Sequence, residues 1–229
     1  MLTPLQAIWY GVSTGVYSLT AVATDDGGAT ATSDPVSVTV NTAPGGLPSG
    51  WTSADIGATG AAGSSTYVGG TFTVTGAGAD VWGTADALHY AYRSISGNFT
   101  IVARVASIQG VNSWTKAGVM IRNSLSPSAA QAFQLVAYSS TKGVPFQRRL
   151  TDGGISYSTS GSQSTAARWV KLVRSGSTIT GYESADGTTW TLVGSDTFVM
   201  DTTVFVGLGV SSHVAGTTAS ATFDNVSIQ

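Results

Sequence analysis

The chain has 229 residues, of which 42% are hydrophobic and only 10% charged, with a formal net charge of −2 and no cysteine. That balance argues against disorder, and its ten scattered Lys and Arg form no basic stripe for nucleic acid. Without cysteine, disulfides cannot supply stability, so burial or a bound ion must.

Abundant Gly, Ser, Thr and Val fit a sheet-rich extracellular protein, secreted or on the cell surface. The length allows one sizeable β domain and a smaller piece. No run of 18 apolar residues occurs, so no membrane span is expected. Residues 1–10 have neither a basic n-region nor a cleavage site, so any export signal is expected upstream.

Residues 17–24 alternate as a strand, Asp25-Asp26-Gly27-Gly28 reads as a turn, and 35–40 alternate again. The text VYSLTAVATDDGGATATSDPVSVTV resembles the closing hairpin of bacterial immunoglobulin-like repeats. Such a module needs roughly 100 residues and seven strands, so residues 1–41 read as its truncated tail. Residues 42–50 (TAPGGLPSG) form an uncharged Pro/Gly linker. From 51 to 229 the pattern gives short strands at 71–75, 89–92, 99–105, 117–122, 132–138, 144–150, 169–174, 178–183, 190–196, 204–211 and 219–228. Residues 126–131 have room for one helical turn, and no longer helical stripe occurs. Many antiparallel strands with Gly-rich turns give an all-β, two-sheet antiparallel sandwich or jelly roll.

Ordered motifs then carry a resemblance: GWTSADIG (50–57), GADVWGTADALHYAYRSISGNFTIVARV (78–105), WTKAGVMIR (114–122), FQRR (146–149), WVKLVRSG (169–176), GYESADGTTWTLVG (181–194), VFVGLGVSSH (204–213) and ATFDNVSI (221–228). Together they resemble the concanavalin A-like, laminin-G-like jelly-roll domains of secreted bacterial carbohydrate-active proteins. The resemblance implies two curved antiparallel sheets and an accessory, often sugar-binding, role within a larger multidomain protein. It also implies a structural calcium held by an acidic residue of the last strand, Asp224, with Asp55 as partner. With no Cys and two distant His, zinc and copper are improbable cofactors.

Proteins hold a sugar by stacking an aromatic ring on its C–H face and aiming amide, carboxylate or guanidinium groups at its hydroxyls. The strand period puts Met120 and Arg122 opposite Ala117, Val119 and Ile121, and Gln147 and Arg149 opposite Phe146 and Arg148. Tyr90 and Tyr92 share one face of their strand, with His89 and Ala91 on the other. Trp82 and Trp114 precede strands, where a ring can stay exposed. The candidate sugar-binding residues are therefore Trp82, His89, Trp114, Lys116, Arg122, Gln147, Arg149 and His213. The competing reading has both tryptophans capping the core, and Arg122 and Arg149 pairing with Asp80, Asp86 or Glu183. SADGTTW (184–190) resembles a structural Asp-box hairpin, with Asp186 capping the turn's N–H groups, Gly187 taking positive φ and Trp190 packed underneath the turn.

Three functions are open: a non-catalytic module binding a polysaccharide or oligosaccharide, a glycan-cleaving enzyme, and a spacer or adhesion domain. A glycoside hydrolase needs two carboxylates about 5 Å or about 6.5–9.5 Å apart. Glu183 is the single glutamate, so it would pair with Asp80, Asp86 or Asp152. A polysaccharide lyase would use His89 or Tyr90 as base and Arg122 to neutralise a uronate. No nucleophile elbow for a serine triad is present.

Overall fold

The computed structural model describes residues 15–40 and 45–229. The chain divides after Gly45 into two compact units. The first holds β1 (Gly15–Leu19), β2 (Val22–Thr24), β3 (Thr30–Thr32) and β4 (Val36–Val40). β1 pairs antiparallel with β4, and β2 with β3. The single strand expected over 17–24 is thus interrupted after Leu19. Its turn is closed by Asp25, whose Oδ1 accepts the backbone N–H groups of Gly27 and Ala29 at 3.0 and 2.8 Å.

The second unit begins with β5 (Thr52–Ile56), β6 (Ser64–Val68), β7 (Thr71–Gly78), β8 (Val81–Trp82), β9 (Ala85–Asp86) and β10 (Leu88–Ser96). It continues through β11 (Phe99–Gln109), β12 (Lys116–Arg122), β13 (Gln131–Ala137), β14 (Phe146–Arg149) and β15 (Ser156–Thr159). It closes with β16 (Arg168–Ser175), β17 (Thr178–Ser184), β18 (Thr191–Thr197), β19 (Thr203–Ser211) and β20 (Val214–Ile228). Every expected strand of this unit is present. Residues 126–131 contain only a turn in which Ala129 N–H donates to Ser126 O. No helix among the described residues is long and apolar enough to cross a membrane.

These strands form two seven-stranded antiparallel sheets, a jelly-roll sandwich. One runs β15-β14-β13-β12-β19-β10-β5, the other β18-β17-β16-β11-β20-β7-β6. Between them lie Val119, Ile121, Val206 and Leu208 of the first sheet with Ile101, Leu172 and Phe223 of the second, all fully buried. Period-two alternation turns these side chains to the inner faces of the two sheets and so selects this core.

The first sheet departs from the simple sandwich. All seven residues of β12 are buried, so both of its faces are covered. A second apolar cluster of Ile56, Val81, Leu88, Tyr90, Tyr92, Met120, Phe133 and Leu135 lies on its outer side. The short β8–β9 hairpin, absent from the sequence reading, carries Val81 into that cluster. Tyr90 is fully buried there, its hydroxyl donating to Met120 O at 2.9 Å, and burial raises its pKa well above the usual phenol range.

β19 threads between β10 and β12 so tightly that a Cβ on Gly207 would sit 2.0 Å from the Ala91 carbonyl oxygen. Gly207→Ala is expected to destabilise the fold by about 1–3 kcal/mol, because neighbouring backbone must shift to admit the methyl group. Urea denaturation against the parent checks this.

Candidate functional site

Arg122 ends β12 and Arg149 ends β14, one strand apart in the same row, since both register with Gln131 of β13. Both point outward, and both side chains are fully buried. They converge on Asp86 of β9, which is also fully buried. Arg122 Nη1 lies 2.6 Å from Asp86 Oδ2, and Arg149 Nη2 lies 2.6 Å from Oδ1. One carboxylate cannot neutralise two guanidinium groups. The remaining donors go to main-chain carbonyls: Arg122 to Ser124 and Ser126, and Arg149 to Gly83, Ala129 and Gly154. The cluster bolts the β8–β9 hairpin and the 124–129 loop onto the sheet.

The hairpin so fixed forms one wall of a cleft of about 250 Å³ lined by Asp80, Trp82, Trp114, Lys116, Gln147, Ser158 and His213. Lys116 is 1% exposed, at the start of β12. Its ammonium donates to Asp80 Oδ1 at 2.5 Å, Val81 O at 3.1 Å and Gln147 Oε1 at 2.9 Å. The same nitrogen lies 5.8 Å from the Trp82 ring centre and 5.4 Å from that of Trp114, within cation–π range. Burial pulls the Lys116 pKa below its usual value, and Asp80 offsets part of that. Trp114 also faces Lys142 Nζ at 5.2 Å. Across the cleft, His213 Nε2 lies 3.2 Å from Asp80 Oδ2. His213 has φ of 62°, a left-handed conformation rare for a residue with a Cβ.

The structure thus brings together five of the eight candidate sugar-binding residues, Trp82, Trp114, Lys116, Gln147 and His213, and adds Asp80. Ser158 joins them from β15, a strand the sequence reading lacks. Trp82 is 40% exposed and lies within β8 rather than in a loop, and Trp114 is half-buried.

The other three lie elsewhere. Arg122 and Arg149 follow the competing reading: they are buried beneath the cleft as partners of Asp86. His89 points to the inner side of β10, 4% exposed, with Nδ1 2.7 Å from Asp55 Oδ1. A Cβ on Gly63 or Gly76 would collide with it, so backbone packs directly against the imidazole.

The remaining acidic residues have structural partners. Glu183 accepts from Ser162 N–H at 2.6 Å and Ser162 Oγ at 2.5 Å, with Arg168 Nε at 3.1 Å. Asp152 Oδ1 accepts the Ala130 N–H at 2.7 Å. Asp224 in β20 takes a two-pronged pair from Arg104, with Nε at 2.8 Å, and the hydrogen bonds from Arg104 hold its pKa below the usual carboxylate range. Asp55 and Asp224 belong to different sheets. A carboxylate already bridging a guanidinium and another facing His89 do not fit a calcium ion shared between them. No group of three or more His, Cys, Asp or Glu that could hold a metal occurs among the described residues.

In the Asp-box-like hairpin, Asp186 Oδ1 accepts the N–H groups of Thr188 and Thr189 at 2.8 and 2.7 Å, which lowers its pKa strongly. The ring against Gly187 is Trp169, not Trp190; Trp190 stacks instead on Lys171, 4.1 Å from its ammonium.

The chain matches no protein-family model and no curated protein. Among solved structures it is similar to a functionally unknown protein from Saccharomyces cerevisiae (TM-score 0.60, 20% identity, 79% of this chain and 96% of that one). It is also similar to the Bacteroides ovatus Xyloglucan PUL GH43B (TM-score 0.56, 16% identity, 91% of this chain and 46% of that one). A third likeness is to a xylan beta-1,4-xylosidase from Bacillus halodurans C-125 (TM-score 0.50, 13% identity, 89% and 45%). The chain spans less than half the length of the latter two. Identities this low speak for the shared fold alone.

Asp86→Ala leaves two guanidinium groups buried without their carboxylate, and is expected to cost about 3–5 kcal/mol of stability, read from urea denaturation. His213→Gly relieves the left-handed strain, so its melting temperature is expected to equal or exceed the parent's, with a gain of up to ~1 kcal/mol.

Proposed function

We propose that this protein is a non-catalytic carbohydrate-binding module that takes a polysaccharide or oligosaccharide in the Trp82–Trp114 cleft. The observation that carries this reading is the pairing of two partly exposed indole rings with Asp80 and Gln147, both fixed by Lys116, and with the exposed Ser158 hydroxyl in one cleft. A pyranose presents apolar C–H faces and a rim of hydroxyls. Indole faces take the former, and amide and carboxylate groups take the latter. The sandwich fold is shared with larger proteins described as a Xyloglucan PUL GH43B and a xylan beta-1,4-xylosidase, a likeness that fits a carbohydrate partner and equally the enzyme alternative. We propose further, from the composition and the ordered sequence motifs, that the module belongs to a secreted, multidomain polysaccharide-active protein.

Two other readings have less support. A two-carboxylate hydrolase needs a second acidic group in the cleft, and among the described residues its lining holds only Asp80. Glu183 is not a lining residue and is already satisfied by Ser162 and Arg168. A pure spacer accounts for Trp114, which packs on the outer apolar cluster, but not for the 40% exposed Trp82 beside it in the cleft.

Pull-down on insoluble polysaccharides and affinity electrophoresis on soluble ones, with a reducing-sugar assay on the same tubes, tests this reading. Binding without release of reducing ends is the predicted result. Release would make the protein an enzyme, and absence of any saturable binding would make it a spacer. Trp114→Ala is expected to weaken glycan binding by about 1–3 kcal/mol, the range for losing a central aromatic contact, while the protein stays folded.

A further inference from the structure

The polar floor is specific about what it offers a ligand. Lys116 has three N–H donors, all engaged by Asp80, Val81 and Gln147. Its charge is therefore matched by Asp80 and not presented to the cleft. Because an ammonium only donates, the Gln147 side chain must turn its oxygen toward Lys116 and its nitrogen away. Gln147 is 3% exposed and lines the cleft, and its Nε2 has no hydrogen-bond partner among the described residues. That nitrogen is not among the sealed, unpartnered polar atoms of the structure, so it opens on the cleft as a donor available to a ligand. Asp80 is the neighbouring acceptor: its two oxygens face Lys116 and His213, and its carboxylate remains partly accessible.

Resting on the carbohydrate reading, we infer that the cleft selects neutral sugars, its specificity set by the Gln147 amide donating to one hydroxyl while Asp80 accepts from another. A uronate or sulfate would meet the Asp80 carboxylate with no free cationic N–H from Lys116 to balance it, and Lys142, which faces the Trp114 ring, is not among the residues lining the cleft. Gln147 is the residue that reads the hydroxyl, and Lys116 is the positioning residue that fixes which way its amide points.

The test is affinity electrophoresis of the parent and Gln147→Glu on xyloglucan, xylan, a mixed-linkage β-glucan and polygalacturonate, at low and high salt. Gln147→Glu keeps an acceptor for Lys116 but removes the donor. The parent is expected to bind at least one neutral polymer with little salt dependence, since no ion pair forms with the ligand, and to ignore polygalacturonate. Gln147→Glu is expected to bind about tenfold more weakly or worse, at an undiminished melting temperature. Equal or stronger retardation by polygalacturonate, or a folded Gln147→Glu that binds like the parent, overturns the inference while leaving a glycan-binding module in place. Retardation by none of the polymers overturns the carbohydrate reading itself. Should the variant not fold, the parent's choice between neutral and acidic polymers and its salt response decide alone.

Discussion

Asp86 is the constraint on which the outer side of the first sheet depends. Two arginines from β12 and β14 need an anion when buried, and among the described residues the β8–β9 hairpin alone supplies one. Burying such groups is costly, and little of it returns as net stability compared with an apolar cluster of the same shape. What the arrangement secures is geometry. Asp86 can satisfy both guanidiniums only where the hairpin lies flat on the sheet, with Gly83 O also accepting from Arg149. That position sets Trp82 at the cleft wall and Asp80 beside Lys116.

The cleft inherits this rigidity. Lys116 is tied to the hairpin through Asp80 and the Val81 carbonyl, and to β14 through Gln147, so three elements meet at one ammonium. The cation then has a structural job: it orients an amide, holds a carboxylate and faces two indole rings. A binding surface whose side chains are ordered before the ligand arrives loses less entropy on binding. The left-handed His213, at the turn between β19 and β20, closes the same network from the opposite side.

Much of the fold was legible because strands with one buried face alternate in sequence, and the long ones do so plainly: β11 and β16 are examples. The elements not read were short or weakly apolar, such as β8, β9 and β15, whose existence is decided by what they pack on. That gap had consequences. The outward direction of Arg122 and Arg149 was correct, but their cover comes from a hairpin 36 and 63 residues away in sequence, and long-range pairing leaves no local mark. Ser158 was missed with its strand. His89 is different, because the alternation that turned Tyr90 and Tyr92 outward already turned it toward the interior. Trp82, Trp114, Lys116, Gln147 and His213 were found by residue type and strand position, the features a sugar site shares with any polar sheet face.

The most direct test of the account is to follow the indole and side-chain amide N–H resonances of labelled protein while a neutral oligosaccharide is added. Five of the six tryptophans lie among the described residues, Trp82 and Trp114 lining the cleft and Trp51, Trp169 and Trp190 outside that lining. The account predicts that Trp82, Trp114 and the Gln147 amide shift together and saturably, while Trp51, Trp169 and Trp190 stay in place. Saturable shifts confined to Trp169 and Trp190, with the cleft signals unmoved, would contradict it.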